Sequence, residues 1–174
     1  MRFASLTSAD GWTYKFTQDD WLWAIRMLCG EAGVANWDER WKQLEGEAIL
    51  WTMLNRLYLL RNTTFTRKGC GNVGPSFPPG VLHTYTNLIL AYSQPINPMW
   101  RTCGDARELA RRAQFAIMPA SDAPPEVVTL VTRFMQGKVP GDLYTGLVHF
   151  IAPGIPPAQG SVGPVAVPGM QAKS

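Results

Sequence analysis

The sequence is poor in the residues that mark most catalytic and metal centres. Its three cysteines, Cys29, Cys70 and Cys103, form an odd set without a CxxC spacing, and only two histidines accompany them. Neither a disulfide framework nor a zinc site is expected, and free thiols are the default. Charge is sparse as well. Sixteen Lys and Arg against thirteen Asp and Glu leave a net charge of +3, scattered apart from short pairs such as Arg111 and Arg112. That balance disfavours a dedicated nucleic-acid groove. No stretch reaches the ~18 consecutive apolar residues of a membrane-spanning helix. The opening MRFASLTSADGWTYKF lacks the uninterrupted apolar core of a secretory signal, so a protein acting outside the cytoplasm is expected to leave by another route. No internal repeat is visible.

What the chain does have is core-forming material. Its 174 residues fit one domain better than two, since smaller halves would bury too little of their surface, and seven Trp with seven Phe supply large side chains. Residues 1–16 mix Gly, Ser, Thr and aromatics without a clear period and read as an irregular or extended lead-in. Thr17-Gln18-Asp19-Asp20 then resembles a capping box, with Asp in place of Glu. It opens a helix whose Trp21, Ala24, Ile25, Leu28 and Glu31 share one face. Gly30 to Gly33 should end or bend that helix, and Asn36 to Glu39 offers a cap for the next.

From Leu44 to Leu60 apolar residues fall on every side, the pattern of a buried central helix. Residues 61–80, rich in Gly and Pro, make a loop too long to be a mere connector, and such loops are often functional. Further helices are expected over Val81–Tyr92, Asp105–Ile117 and Pro125–Met135, the last with Pro at its start. Leu147–Ile151 is the best strand candidate, and residues 153–174 form a tail rich in Pro and Gly. The expected class is mainly α (α+β), with a domain over 17–152 and its small β element near the C-terminus.

Glu31 ends an apolar stripe and has Met27 and Leu28, not a cation, one turn back. A carboxyl group held against apolar side chains stays protonated toward neutral pH and can donate to a leaving oxygen. The same spacing also suits a frayed, exposed helix end. Glu45 and Glu47 open the second helix, where negative charge is favourable anyway. Either could also share a cleft with Glu31, since glycosidases commonly use two carboxylates. Asn55 and Arg56 are polar residues on an apolar helix and are expected to hold neighbouring loops. Tyr92-Ser93-Gln94 and Asn97, between prolines, offer the hydroxyl, amide and aromatic groups that suit sugar binding. His149, between Val148 and Phe150, points away from both if the segment is a strand. It has no GxSxG or paired Cys to make a triad. His83 falls in an expected helix, and Arg107, Arg111 and Arg112 read as a solvated face.

Four blocks in order resemble the cell-wall hydrolases typified by the spore cortex-lytic enzymes, with many phage-borne relatives. They are WAIRMLCGEAG at 23–33; Glu45-Gly46 followed by AILW and Asn55-Arg56; Tyr92-Ser93-Gln94 with Asn97 and Trp100; and GKVPGDLYTGLVHFIAPG at 137–154. The resemblance spans roughly residues 20 to 155 and implies a lysozyme-like helical core. It also implies cleavage of the β-1,4 bond between N-acetylmuramic acid and N-acetylglucosamine, by hydrolysis or lytic transglycosylation. On it, Glu31 is the catalytic acid and Glu45 a second carboxylate, while Ser93, Gln94 and Asn55 position the sugar or Glu31. Tyr92, Asn97 and His149 complete the substrate cleft. The implied partners are peptidoglycan glycan strands and other phage virion proteins, with no cofactor, no metal, no nucleic acid and no membrane insertion. The implied setting is the virion or the infected host, acting at the cell wall or periplasm. A noncatalytic wall-binding or virion structural protein of the same fold is the alternative.

Overall fold

The structure, a computed structural model, describes residues 1–63, 68–69, 72–73, 77–97, 105–147 and 170–172. The molecule is mostly helical with a small amount of antiparallel sheet. Strands β1 (Ser5–Ser8) and β2 (Thr13–Lys15) form a hairpin that leads into helices α1 (Gln18–Ala32) and α2 (Arg40–Leu59). Two-residue strands β3 (Lys68–Gly69) and β4 (Asn72–Val73) pair within the long loop. Helices α3 (Tyr85–Tyr92), α4 (Ala106–Ala113) and α5 (Pro125–Met135) follow, and β5 (Met170–Ala172) lies in the tail.

The small sheet is therefore not where the sequence put it. It has the order β2-β1-β5, so the N-terminal segment forms its body and the tail adds one strand against β1. Leu6 and Ser8 on β1 and Tyr14 on β2 are buried, while Thr13 and Lys15 are exposed. That is period-two burial, carried by strands of only three and four residues, too short for alternation to show in the sequence. Gly11, with φ of 90°, turns the chain between them. Leu147 is not in a strand, and the rest of the 147–151 candidate lies outside the described residues.

Helix α1 packs against all four other helices, and α2 also meets α3 and α5. Twelve of the twenty residues of α2 are buried, as expected of a helix apolar on every side. The capping box at the start of α1 is present: Thr17 Oγ1 accepts from the Asp20 amide and Asp20 Oδ2 accepts from the Thr17 amide. Asp20 is fully buried and also accepts from Tyr14 Oη at 2.8 Å, the Thr86 amide at 2.9 Å and Thr86 Oγ1 at 2.6 Å. One carboxylate thus ties β2, α1 and α3 together.

Two expected helix starts are corrected. Asn36–Glu39 gives no side-chain cap to α2; Trp37 is instead buried, with Nε1 donating to Gly33 O at 2.9 Å. Helix α3 starts at Tyr85 rather than Val81, because Thr84 caps it through the Asn87 amide. His83 therefore stands exposed before the helix. The Asp105–Ile117 segment is α-helical to Ala113 and ends in a 3-10 turn, and its Arg111 and Arg112 pair with Glu108 on the surface. The loop after α2 is closed at its base by the Gly80 amide, which donates to Leu60 O at 2.7 Å.

Candidate functional site

The C-terminal turn of α1 is built to be rigid. Cys29 O accepts from the Gly33 amide, Ala32 O from Lys42 Nζ, and Gly33 O from the Trp37 indole. Helix carbonyls that would otherwise lack partners are therefore satisfied by the chain itself. Gly33 has φ of 76°, a left-handed value that suits glycine and stops the helix. Glu31 thus sits half-buried in a held turn, not on a frayed end.

Gly30 fixes what faces it. A Cβ at this position would lie 2.8 Å from the Pro95 ring, so the turn after α3 lies directly against the backbone of α1. That turn begins at Ser93, the cap of α3, and closes with the Asn97 amide donating to Ser93 O at 2.7 Å. The consequence is a contact across 62 residues of sequence: Ser93 Oγ donates to Glu31 Oε1 at 2.9 Å. Ser93 is 2% exposed, and Gln94 and Asn97 beside it are half-buried. Tyr92 is also 2% exposed and packs edge-on against Phe77. Burial pushes its phenol up to about 12, with the Arg56 charge pulling the other way. Arg56 itself donates toward Met53 Sδ. Tyr92 is thus packed in the interior rather than presented as an exposed ring.

The two candidate second carboxylates have different surroundings. Glu47 is buried, with Oε2 accepting from Tyr144 Oη at 2.7 Å and Oε1 held by Arg40 at 3.3 Å. It fastens the 141–147 segment, as does Asn55, whose amide nitrogen donates to Tyr144 O and Leu147 O at 2.9 Å each. Asn55 therefore holds a loop. Glu45 is partly exposed and lies 3.0 Å from Lys42 Nζ, the same ammonium that caps Ala32 O. Lys42 thus places Glu45 at the Glu31 end of α1. His149 and Trp100 lie outside the described residues.

Sequence reasoning missed Lys42 and Gly30. Lys42 is buried, near the rings of Trp37 and Trp41, and its ammonium links the end of α1 to α2. A Lys at a helix start carries no spacing signal for such a role. Gly30 had one: a glycine inside a helical pattern marks a close approach. Gly46 works similarly, since a Cβ there would lie 2.7 Å from both Trp37 and Leu130.

Cys29 is fully buried beside this turn, and burial pushes its thiol up to about 12. Iodoacetamide at pH 8.5 is expected to leave Cys29 unmodified in the folded protein and to label it in denaturant. Peptide mass mapping checks this, and labelling of native Cys29 would show that the turn opens.

Among the described residues, no group of three His, Cys, Asp or Glu side chains could hold a metal ion. No described helix is long and apolar enough to cross a membrane. No protein-family model, curated protein or solved structure matches the chain.

Proposed function

We propose that the protein cleaves the β-1,4 bond between N-acetylmuramic acid and N-acetylglucosamine in peptidoglycan, with Glu31 as the acid. One observation carries the reading. Glu31 and Ser93, 62 residues apart and singled out by the resemblance to cell-wall hydrolases, are hydrogen-bonded on a braced helix end.

In this reading the Glu31 carboxyl gives its proton to the glycosidic oxygen as the bond from that oxygen to the muramic acid C1 breaks. The resulting carboxylate then takes the proton of the muramic acid C6 hydroxyl while O6 bonds to C1. An anhydro ring closes and Glu31 regains its proton. The attacking oxygen belongs to the same sugar, so ring closure has the entropic advantage of an intramolecular reaction. Ser93 holds the carboxyl group, and the amides of Gln94 and Asn97 bind sugar hydroxyl and acetamido groups. Glu45 is the group that would activate water if the product were hydrolytic. The lysozyme-like core, the phage setting and His149 as a cleft residue belong to the same proposal.

The test is mass spectrometry of fragments released from purified sacculi. Anhydromuropeptides are the expected product. Reducing ends would redirect the mechanism to hydrolysis assisted by Glu45. Digestion by a control lysozyme but none by this protein would overturn the proposal.

A further inference from the structure

A groove of about 940 Å³ opens where the N-terminal segment, the end of β2, the start of α1 and the turn after α5 meet. Arg2, Lys15 and Lys138 line it together with Thr17, Gln18 and Gln136, and among the described residues no Asp or Glu does. All three cations are exposed, and none belongs to an ion pair among the described residues. They stand on anchored backbone. Lys15 pairs with Ser5 across the hairpin, the Ala4 amide donates to Met135 O at 2.8 Å, and the Lys138 amide donates to Arg133 O at 2.9 Å.

Three like charges gathered on one concavity without a counter-charge among the described residues repel one another and focus a positive potential into it, so an anion there is attracted by all three at once. The groove is much larger than a lone ion needs. An extended ligand fits it better. The guanidinium fork, two ammonium groups and the amide and hydroxyl donors suit the oxygens of successive phosphates. The shape is a recess, into which a single flexible chain bends more readily than a stiff duplex. Thr17 caps the N-terminus of α1, whereas Glu31 is one residue from its other end. At ~1.5 Å per helical residue, the two sites are separated by roughly 20 Å along the helix.

We propose that this groove is a second binding site, for a flexible polyphosphate chain. Bound there, such a chain tethers the protein to an anionic polymer and leaves the Glu31 end uncovered. The proposal is independent of the cleavage reading.

The test is fluorescence anisotropy of labelled short-chain polyphosphate titrated with the full chain over a range of salt concentrations. Wild type is expected to bind with an affinity that falls on adding salt, with a log–log slope near −2 for about three neutralised phosphates. R2A/K15A/K138A is expected to bind about tenfold more weakly or worse, and K138A alone about threefold, with melting temperatures unchanged because the side chains are exposed. E31Q should bind as wild type does, which separates this site from the catalytic proposal. Wild-type affinity in the triple variant would overturn the assignment, as would equal binding of polyglutamate or tighter binding of duplex DNA.

Discussion

Glu31→Gln is expected to lower the release of muropeptides from sacculi by about a hundredfold or more, the range of effects seen when a general acid is removed. The substitution keeps the shape of the side chain and an oxygen able to accept from Ser93, so folding should be untouched and the loss should reflect missing proton transfer. Ser93→Ala addresses the same contact from the other side. Ser93 Oγ is 2.9 Å from Glu31 Oε1 and is buried, so it acts as a positioning residue. Its loss is expected to reduce kcat on soluble glycan strands about tenfold with KM little changed, since a misdirected acid weakens the transition state more than the bound ground state. Gly30→Ala tests the geometry that brings the two together. A methyl group there would sit 2.8 Å from Pro95, so α1 and the 93–97 turn must separate. Its activity should fall with its stability, whereas Ser93→Ala should lose activity alone. Full cleavage by Glu31→Gln would sink the assignment of Glu31 as the acid.

The helices were legible where period and punctuation agreed. Pro125 at the start of α5 and Thr17 before α1 stand where local rules place them, because a missing amide proton and a free hydroxyl are useful only at a helix start. The hairpin was not legible: Leu6, Ser8 and Tyr14 give burial alternation over runs too short to stand out from a loop. The start of α3 was misplaced because Leu82 is buried and reads as helical, although it precedes the Thr84 cap. At the site, Glu31 and Ser93 could be singled out separately. Their contact goes with Gly30 meeting Pro95 and Lys42 reaching back to Ala32, tertiary contacts whose partners the local pattern does not name. Glu45 and Glu47 illustrate the same limit. Two residues apart in sequence, they diverge because Tyr144, nearly a hundred positions away, donates to one of them, while Lys42 pairs with the other.

Asp20→Ala is expected to reduce the free energy of unfolding by about 3–5 kcal/mol, because four neutral donors lose the acceptor they share. The reason lies in what remains behind. Tyr14 Oη would lose its acceptor in the buried interior, and the Thr17 amide, the Thr86 amide and Thr86 Oγ1 would lose theirs at part-buried positions. Each unsatisfied buried donor costs roughly 1–3 kcal/mol, partly recovered where water enters. The capping box on α1 is lost too, while Tyr14 Oη still accepts from the Tyr85 amide at 2.8 Å, so part of the junction survives. Asp20→Asn keeps an acceptor oxygen but brings two amide protons to face donors, and should cost about half as much. Since a domain of this size is stable by only about 5–15 kcal/mol, the alanine variant should lie near the limit of folding at physiological temperature. Urea unfolding followed by tryptophan fluorescence provides the measurement, with a lower midpoint and an unchanged slope expected for each variant. A loss below about 1 kcal/mol for Asp20→Ala would mean that water reaches the junction, and that the hairpin, α1 and α3 are joined by apolar packing rather than by this carboxylate.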